Sequence, residues 1–338
     1  MKRVINVLKI VVPLAIVGWL LNDLIRNHPD ELAALRSRPL RWDLLVGGIV
    51  CIVVALCLTF YRWYLLVRAL DIPFRTQDAF RLGFVGYLLN FVSLGGVGGD
   101  LFKAVFLASE QPARRTEAVA TIVIDRVVGL FGLLLVAATA LANLNTEHHP
   151  HLARLAQGTV WIGALLGLGM LAMLFVHKVP GSITRWLISW PGIGPIFHRL
   201  LTAMECYARR RSVWLVAIGL SVLAHLTLTA AVFLGSRAAF PQGPTFVEHL
   251  VMVPLANVAG ALPIAPMGLG QFEAAMTFLF DTVPADDRGQ GIGILVALTY
   301  RLMTIAVVPI GILYYWLNRQ WMRDLIVRAG QESPTRAG

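Results

Sequence analysis

Charge is what this 338-residue chain has least of. Asp, Glu, Lys and Arg make up 14% of it, while 57% is hydrophobic and the mean hydropathy is +0.70. Soluble domains carry roughly 25% charged residues, so the composition excludes an ordinary soluble domain and points to an integral membrane protein. Cysteine is scarce too. Cys51 and Cys57 lie inside an apolar run and Cys206 in a basic linker, which gives no disulfide framework and no metal-ligand spacing. A phosphate-binding loop is missing: GGVGGDLFK lacks the GK[ST] ending and follows no soluble strand, so ATP is not expected to drive the protein directly. The formal charge of +10 does not signal nucleic acid. The bases sit at the ends of apolar runs, where cytoplasmic loops collect them.

Glycine, by contrast, is concentrated where it matters. Asn90 to Lys103, NFVSLGGVGGDLFK, places Gly95, Gly96, Gly98 and Gly99 between an asparagine and an aspartate in the middle of an apolar stretch. Glycine at that density cannot hold a stable helix. Irregular backbone at membrane depth survives only where protein or water satisfies its polar groups. A second stretch, Asn257 to Glu273, repeats the pattern with Pro266, Gly268 and Gly270. The apolar segments holding these breaks, Ala79 to Ala108 and Val247 to Val283, are too long for one straight span of about 20 residues. Each is read as two half-length helices forming a re-entrant hairpin.

The remaining apolar runs supply six full spans: Val4 to Ile25, Trp42 to about Leu70, Ala118 to Asn143, Leu155 to Val176, Val213 to about Gly235, and Ile292 to Leu317. The first lacks the short apolar core and small-residue cleavage site of a signal peptide and is read as a retained helix. Arg62 and Arg68, near the end of the second, are read as snorkelling. His225 is read as a packed or hydrogen-bonded helix histidine, and His148, His149 and His151 as a solvated cluster rather than a metal site. In the linker 178–211, Ile196, Phe197, Leu200, Leu201, Met204 and Tyr207 share a helical face closed by Arg209 to Arg211, the pattern of a basic helix lying on a membrane surface.

With both termini cytoplasmic, most of the Lys and Arg residues fall on the cytoplasmic side, as the positive-inside bias requires. Arg26, Arg36, Arg38 and Arg41 in the loop 26–41 are the misfit, because they face outwards. In this topology the first hairpin enters from the cytoplasm and the second from outside. The expected fold is therefore an all-α, polytopic helix bundle with an inverted repeat. Its units are about 42–143, carrying Asn90, Asp100 and Arg126, and 213–317, carrying Asn257, Glu273 and Arg301. One transmembrane domain covers 1–318, and 319–338 forms a basic cytoplasmic tail.

The order and spacing of several motifs resemble the lysylphosphatidylglycerol synthase transmembrane region, the flippase-like part of the bacterial multiple peptide resistance factors. They are Asn90-x9-Asp100 through GGD with Lys103, the Asp125-Arg126 pair, Pro266-x-Gly-x-Gly-x-x-Glu273, and Tyr300-Arg301. The resemblance runs from about residue 8 to 318. Leu94 stands where the family leads one to expect proline, Lys103 where arginine is commoner, and Met267 in place of a glycine. The resemblance implies a bacterial inner-membrane protein that moves a lipid, or a lipid-linked headgroup, between leaflets. No soluble aminoacyl-transfer domain follows the membrane region in this chain, so it is expected not to synthesise lysyl-lipid and to need no cofactor.

Independently of the family, an arginine at the centre of a span costs about 2.5–3.5 kcal/mol on insertion scales and normally faces a bundle interior, a cavity or an anion. Arg126, Arg301 and Lys103 are the candidate phosphate-binding residues, since guanidinium matches phosphate well. Asp100, Asp125 and Glu273 are candidate gating or proton-carrying acids. Asn90 and Asn257, with the glycines and Pro266, are candidate organisers of the helix breaks. A membrane lipid is the expected partner, and a homodimer is one option for assembly. The alternatives are a non-transporting scaffold or regulator of envelope lipid metabolism, which needs no paired intramembrane arginines, and an integral-membrane lipid transferase; each arginine could also merely pair with Asp100, Asp125 or Glu273 to lock helices together. The topology has a direct check. Cysteines placed at positions 78 and 112 in a cysteine-free background should label from the same side of the membrane, and labelling from opposite sides would turn the first hairpin into a full span.

Overall fold

A computed structural model of the chain describes residues 39–91, 93, 97–144, 150–174, 207, 210–262, 265 and 268–320, together with 17–22, 24–26, 29 and 33. Most of the first span, most of loop 26–41, Gly95, Gly96, Pro266, His148, His149, the linker before Tyr207 and most of the tail lie outside the described residues. So does the side chain of His151. The described part is all-helical and contains no strand.

The long elements are α1 (Trp42–Arg68), α2 (Thr76–Asn90), α3 (Gly98–Glu110), α4 (Arg115–Leu141), α5 (Pro150–Leu174), α6 (Arg211–Ala239), α7 (Phe246–Ala261), α8 (Gln271–Thr282) and α9 (Gly293–Leu317). Among the described residues, α1, α4, α6 and α9 are long and apolar enough to cross a bilayer. The segments that were too long for one span are divided at the glycine runs, at 91–97 and 262–270.

Both divided segments double back. α2 packs along α3 and α7 along α8, and glycine lets the backbones touch. A Cβ on Gly86 would lie 3.2 Å from the Gly99 Cα, and one on Gly99 would run into the Gly86 carbonyl. In the second pair Gly268 has φ +65°, a left-handed conformation that favours glycine, and a Cβ there would collide with the Gly260 carbonyl.

The helix packing has a two-fold pattern. α2–α3, α3–α4, α1–α2 and α1–α4 in the first half match α7–α8, α8–α9, α6–α7 and α6–α9 in the second. Across the halves, α2 packs on α9 as α7 packs on α4, and α1 packs on α9 as α6 packs on α4. The most extensive contact, between α1 and α6, joins the two long helices that this exchange swaps. Gly48 allows it: a Cβ there would stand 3.0 Å from the Ala231 carbonyl and strike the Met303 side chain. α5 packs on α4 and shows Trp161, Leu165 and Leu168 on an exposed apolar face. Such a face suits lipid, whose tails are as apolar as leucine.

The ends of the bundle are tied by polar contacts. Tyr207 donates its hydroxyl to Leu66 O at 2.8 Å and Arg210 donates to Arg68 O at 3.1 Å, so a cation closes the C-terminus of α1. At the other end Thr245 and Glu248 form a capping box at the start of α7. Arg288, in the turn before α9, donates to Asp286 at 2.7 Å and reaches Glu248 at 3.7 Å. Its hydrogen bond holds the Asp286 carboxyl below the usual carboxylate range.

The glycine contacts predict a selective sensitivity. Gly99→Ala and Gly268→Ala should each destabilise the protein by about 1–3 kcal/mol through overpacking or backbone strain. Gly219→Ala, where a Cβ meets nothing within 4 Å, should be neutral. Thermal unfolding in mild detergent makes the comparison.

Candidate functional site

Each helix break leaves backbone N–H groups without helical partners, and nearby side chains take them up. At the start of α3, Gly99 N donates to Asn90 Oδ1 at 2.7 Å and Gly98 N donates to Ser93 Oγ at 2.7 Å. Asn90 therefore bonds freed backbone across its own hairpin. At the start of α8, Gly270 N donates to Glu273 Oε2 at 2.7 Å. The Gln271 amide nitrogen, turned toward α7, donates to Ala259 O and Leu262 O at 3.1 and 3.2 Å. Asn257 acts differently, since its Nδ2 donates to Val253 O within its own helix at 2.9 Å.

The acids and bases come next. Asp100 is the third residue of α3, and Glu273 is the third residue of α8. Each faces an arginine of the following long helix. Asp100 accepts from Arg126 Nε on α4. Glu273 Oε1 accepts from Arg301 on α9, with Nε at 3.0 Å and Nη2 at 2.5 Å. The two pairs occupy the same place in the two-fold pattern. A carboxylate in the first turn of a half-helix is also favoured by the positive end of the helix dipole.

Their surroundings differ. The Glu273 side chain is fully buried and Arg301 is 14% exposed, with the guanidinium 5.7 Å from the Phe272 ring centre. Arg126 keeps 55% of its side chain exposed while paired to Asp100. Lys103 is 3.9 Å from Asp100 and sits over the rings of Trp63 and Phe60, at 5.0 and 5.6 Å from their centres. Its ammonium is thus held by an acid and by aromatic faces.

Asp125 is paired with Arg62, which its place near the end of a span predicts to snorkel. That reading is corrected by the burial of Arg62, only 5% exposed. It lies six residues inside the end of α1, about 9 Å along the axis, on a face covered by α4 and α6. Arg62 Nε donates to Asp125 Oδ1 at 2.8 Å, Nη2 donates to Asp125 O at 3.2 Å, and Nη1 donates to Ser221 Oγ on α6 at 3.0 Å. Neighbouring Asp125 and Arg126 lie about 100° apart around the helix axis, so they serve different partners. His225 Nε2 is 3.1 Å from Gly129 O and is a hydrogen-bonded helix histidine, with the proton on Nε2. Arg68 is exposed near the end of α1. Tyr87 donates its hydroxyl to Thr304 O at 2.7 Å, which ties α2 to α9 one turn beyond Arg301.

Residues 6–311 match the family model of the lysylphosphatidylglycerol synthase TM region. The chain belongs to that family. No curated protein matches it. Membership of this TM-region family, together with four helices of spanning length among the described residues, makes it a multi-pass membrane protein with a lipid-related function.

Among the candidate site residues of this TM-region chain, Asp100, Lys103, Asp125 and Arg126 come together in the first unit, and Gly270, Glu273 and Arg301 in the second. Every ion pair named here lies within its own unit. Sequence reasoning missed Arg62, Ser93, Ser221, Gln271 and the aromatic seat of Lys103. A usable signal existed for Ser93, three residues after Asn90 in the break. Arg62 gave none, because its partners are 63 and 159 residues away.

Removing one member of a buried pair strands the other charge. Arg62→Met should cost about 3–5 kcal/mol, whereas Arg62→Met with Asp125→Leu should recover most of the loss. Melting temperatures of the two variants in detergent measure the difference.

Proposed function

We propose that this protein is a lipid flippase. It moves a phosphate-containing lipid, or a lipid-linked headgroup, between leaflets of a bacterial inner membrane. In this reading the α2–α3 and α7–α8 pairs are re-entrant hairpins that enter the bilayer from opposite faces, set among six full spans with both termini cytoplasmic. The observation that carries it is the repeated pair of a carboxylate in the first turn of a broken helix and an arginine on the next span, Asp100–Arg126 and Glu273–Arg301. Family membership supports the same substrate class.

The chemistry follows from the pairing. A lipid phosphate crossing the hydrocarbon must shed water, and a guanidinium lowers that penalty through charge-assisted hydrogen bonds. An arginine left alone would hold its cargo too tightly. Asp100 and Glu273 compete for the same guanidinium and so return the headgroup to water. The acyl or prenyl chains stay in the bilayer throughout. The two hairpins, inverted with respect to each other, then act as alternating gates, a common arrangement when broken helices meet near the midplane. The protein on this view performs transport rather than catalysis. The burial of the Glu273–Arg301 pair also supports a helix-locking role for this arginine.

Translocation of labelled lipid in reconstituted vesicles tests the proposal. Arg126→Lys should keep part of the activity, and Arg126→Ala should lose most of it while the protein still inserts. Flipping by the Arg126→Ala/Arg301→Ala double variant at the wild-type rate would sink the reading.

A further inference from the structure

The polar side chains inside α6 fall on one face. At 3.6 residues per turn, Ser221, His225, Thr229 and Ser236 lie within about 80° of arc and extend over about 22 Å of the helix. Ser221, Thr229 and Ser236 are fully buried. The stripe starts where Ser221 accepts from Arg62 of the Arg62–Asp125 pair and continues through His225 on Gly129 O. It ends beside α7, where the His249 ring meets Phe233 of α6 edge-on at 5.3 Å. His249 adjoins Glu248, which faces Arg288 at that end of the bundle.

Hydrogen bonding is incomplete along this same stripe. Thr229 Oγ1, Ser236 Oγ and His249 Nε2 are three of the four buried side-chain polar atoms without a hydrogen-bond partner among the described residues. His249 Nδ1 donates to Thr245 O at 2.8 Å, which leaves Nε2 as a bare acceptor. Other helix threonines, such as Thr227 and Thr299, bond a carbonyl four residues back. Buried polar atoms of this kind are where a protein takes in ordered water. Val232, buried on the same face between Thr229 and Ser236, interrupts the stripe in this conformation.

Charge converges on the Ser221 end. Asp125 is paired with Arg62 of α1, adjoins Arg126, and lies within electrostatic reach of Lys103 on α3. Lys103 and Arg126 are in turn paired with Asp100. His225 faces Arg62. Of the other helices packed on α4 and α6, α5 and α7 carry Arg154, Glu248 and His249 near their starts, and α9 carries Arg301, paired with Glu273.

We propose that lipid movement is coupled to protons, that Asp125 takes up and gives back the proton, and that the α6 stripe with His249 conducts it to one face of the membrane. In the flippase reading, on which this rests, that face is the outer one. A proton reaching Asp125 Oδ1 turns the carboxylate into a carboxylic acid. Arg62 keeps Ser221 Oγ and Asp125 O as acceptors, but its charge is no longer matched. An unmatched buried cation is costly, so protonation is favoured when an anionic headgroup arrives at neighbouring Arg126. By linkage each favours the other, and proton and lipid move in the same direction. Loss of the proton re-forms the ion pair that ties α1, α4 and α6.

The test uses the full chain in vesicles of zwitterionic phospholipid, with a trace of fluorescent phosphatidylglycerol, a trapped pH dye and the membrane potential clamped at zero. A gradient of one pH unit should shift the label by up to about tenfold toward the leaflet on the alkaline side, the limit for one proton per lipid. A protonophore should abolish the shift. Asp125→Asn should remove both proton uptake and the response to the gradient, and Asp125→Glu should restore part of each. Thr229→Val/Ser236→Ala deletes the two unpaired hydroxyls, so its melting temperature should hold or rise. Its gradient-driven proton uptake and lipid movement should nevertheless fall by about tenfold or more, the loss expected from one broken hydrogen-bonded step.

Translocation indifferent to the gradient and to the protonophore would overturn the coupling and leave the flippase reading standing. Proton uptake that depends on Asp125 without lipid movement would refute transport and leave the proton path standing. Wild-type rates in Thr229→Val/Ser236→Ala would overturn the path along α6. Accumulation on the acid side would overturn the shared direction. Absence of both fluxes would overturn coupling and transport together.

Discussion

A backbone N–H freed at a helix break needs an acceptor, and the side chains around both broken helices answer that constraint. Where α2 ends, Asn90 and Ser93 accept from the amides of Gly99 and Gly98; where α8 begins, Glu273 accepts from Gly270. The chain can therefore stop and restart a helix without leaving its amides bare. Glycine contributes a second way, by letting α2 meet α3 and α7 meet α8 at backbone contact. The turn satisfies the polar groups, and close packing holds the two arms together.

Charge obeys the same rule. Each carboxylate at the start of a half-helix pairs with an arginine one element later, and Arg62 reaches Asp125 across α1, α4 and α6. These pairs do different work according to their burial. Arg62, almost fully enclosed and held by Asp125 and Ser221, ties the first unit to α6 of the second. Arg126 keeps more than half of its side chain exposed. A pair whose arginine is exposed can exchange its acid for a ligand, whereas a pair fully surrounded by protein exchanges only if the helices part.

The two-fold packing gives these differences their meaning. Equivalent helices make equivalent contacts in both halves, so the frames match while the residues within them diverge. Asp125 in one half corresponds to Tyr300 in the other, and Lys103 sits beside Asp100 in the first half only.

The sequence by itself determined the class of the protein: long apolar runs with few charges require a membrane bundle, and glycine with proline inside those runs requires breaks. It also determined the acids and arginines that matter, because a charge in an apolar run must find a partner. Asp100, Arg126, Glu273 and Arg301 were legible for that reason. Which charge meets which was decided only by tertiary structure. Arg62 reads as an interfacial residue until α4 and α6 cover its face, and the helical twist sends neighbouring Asp125 and Arg126 to different partners. Asn90 and Asn257 looked alike in their motifs, yet one spans its hairpin and the other bonds its own helix. Local sequence carries periodicity and propensity, but burial and pairing depend on surfaces brought together from 60 or more residues away, and only the packed bundle brings them together.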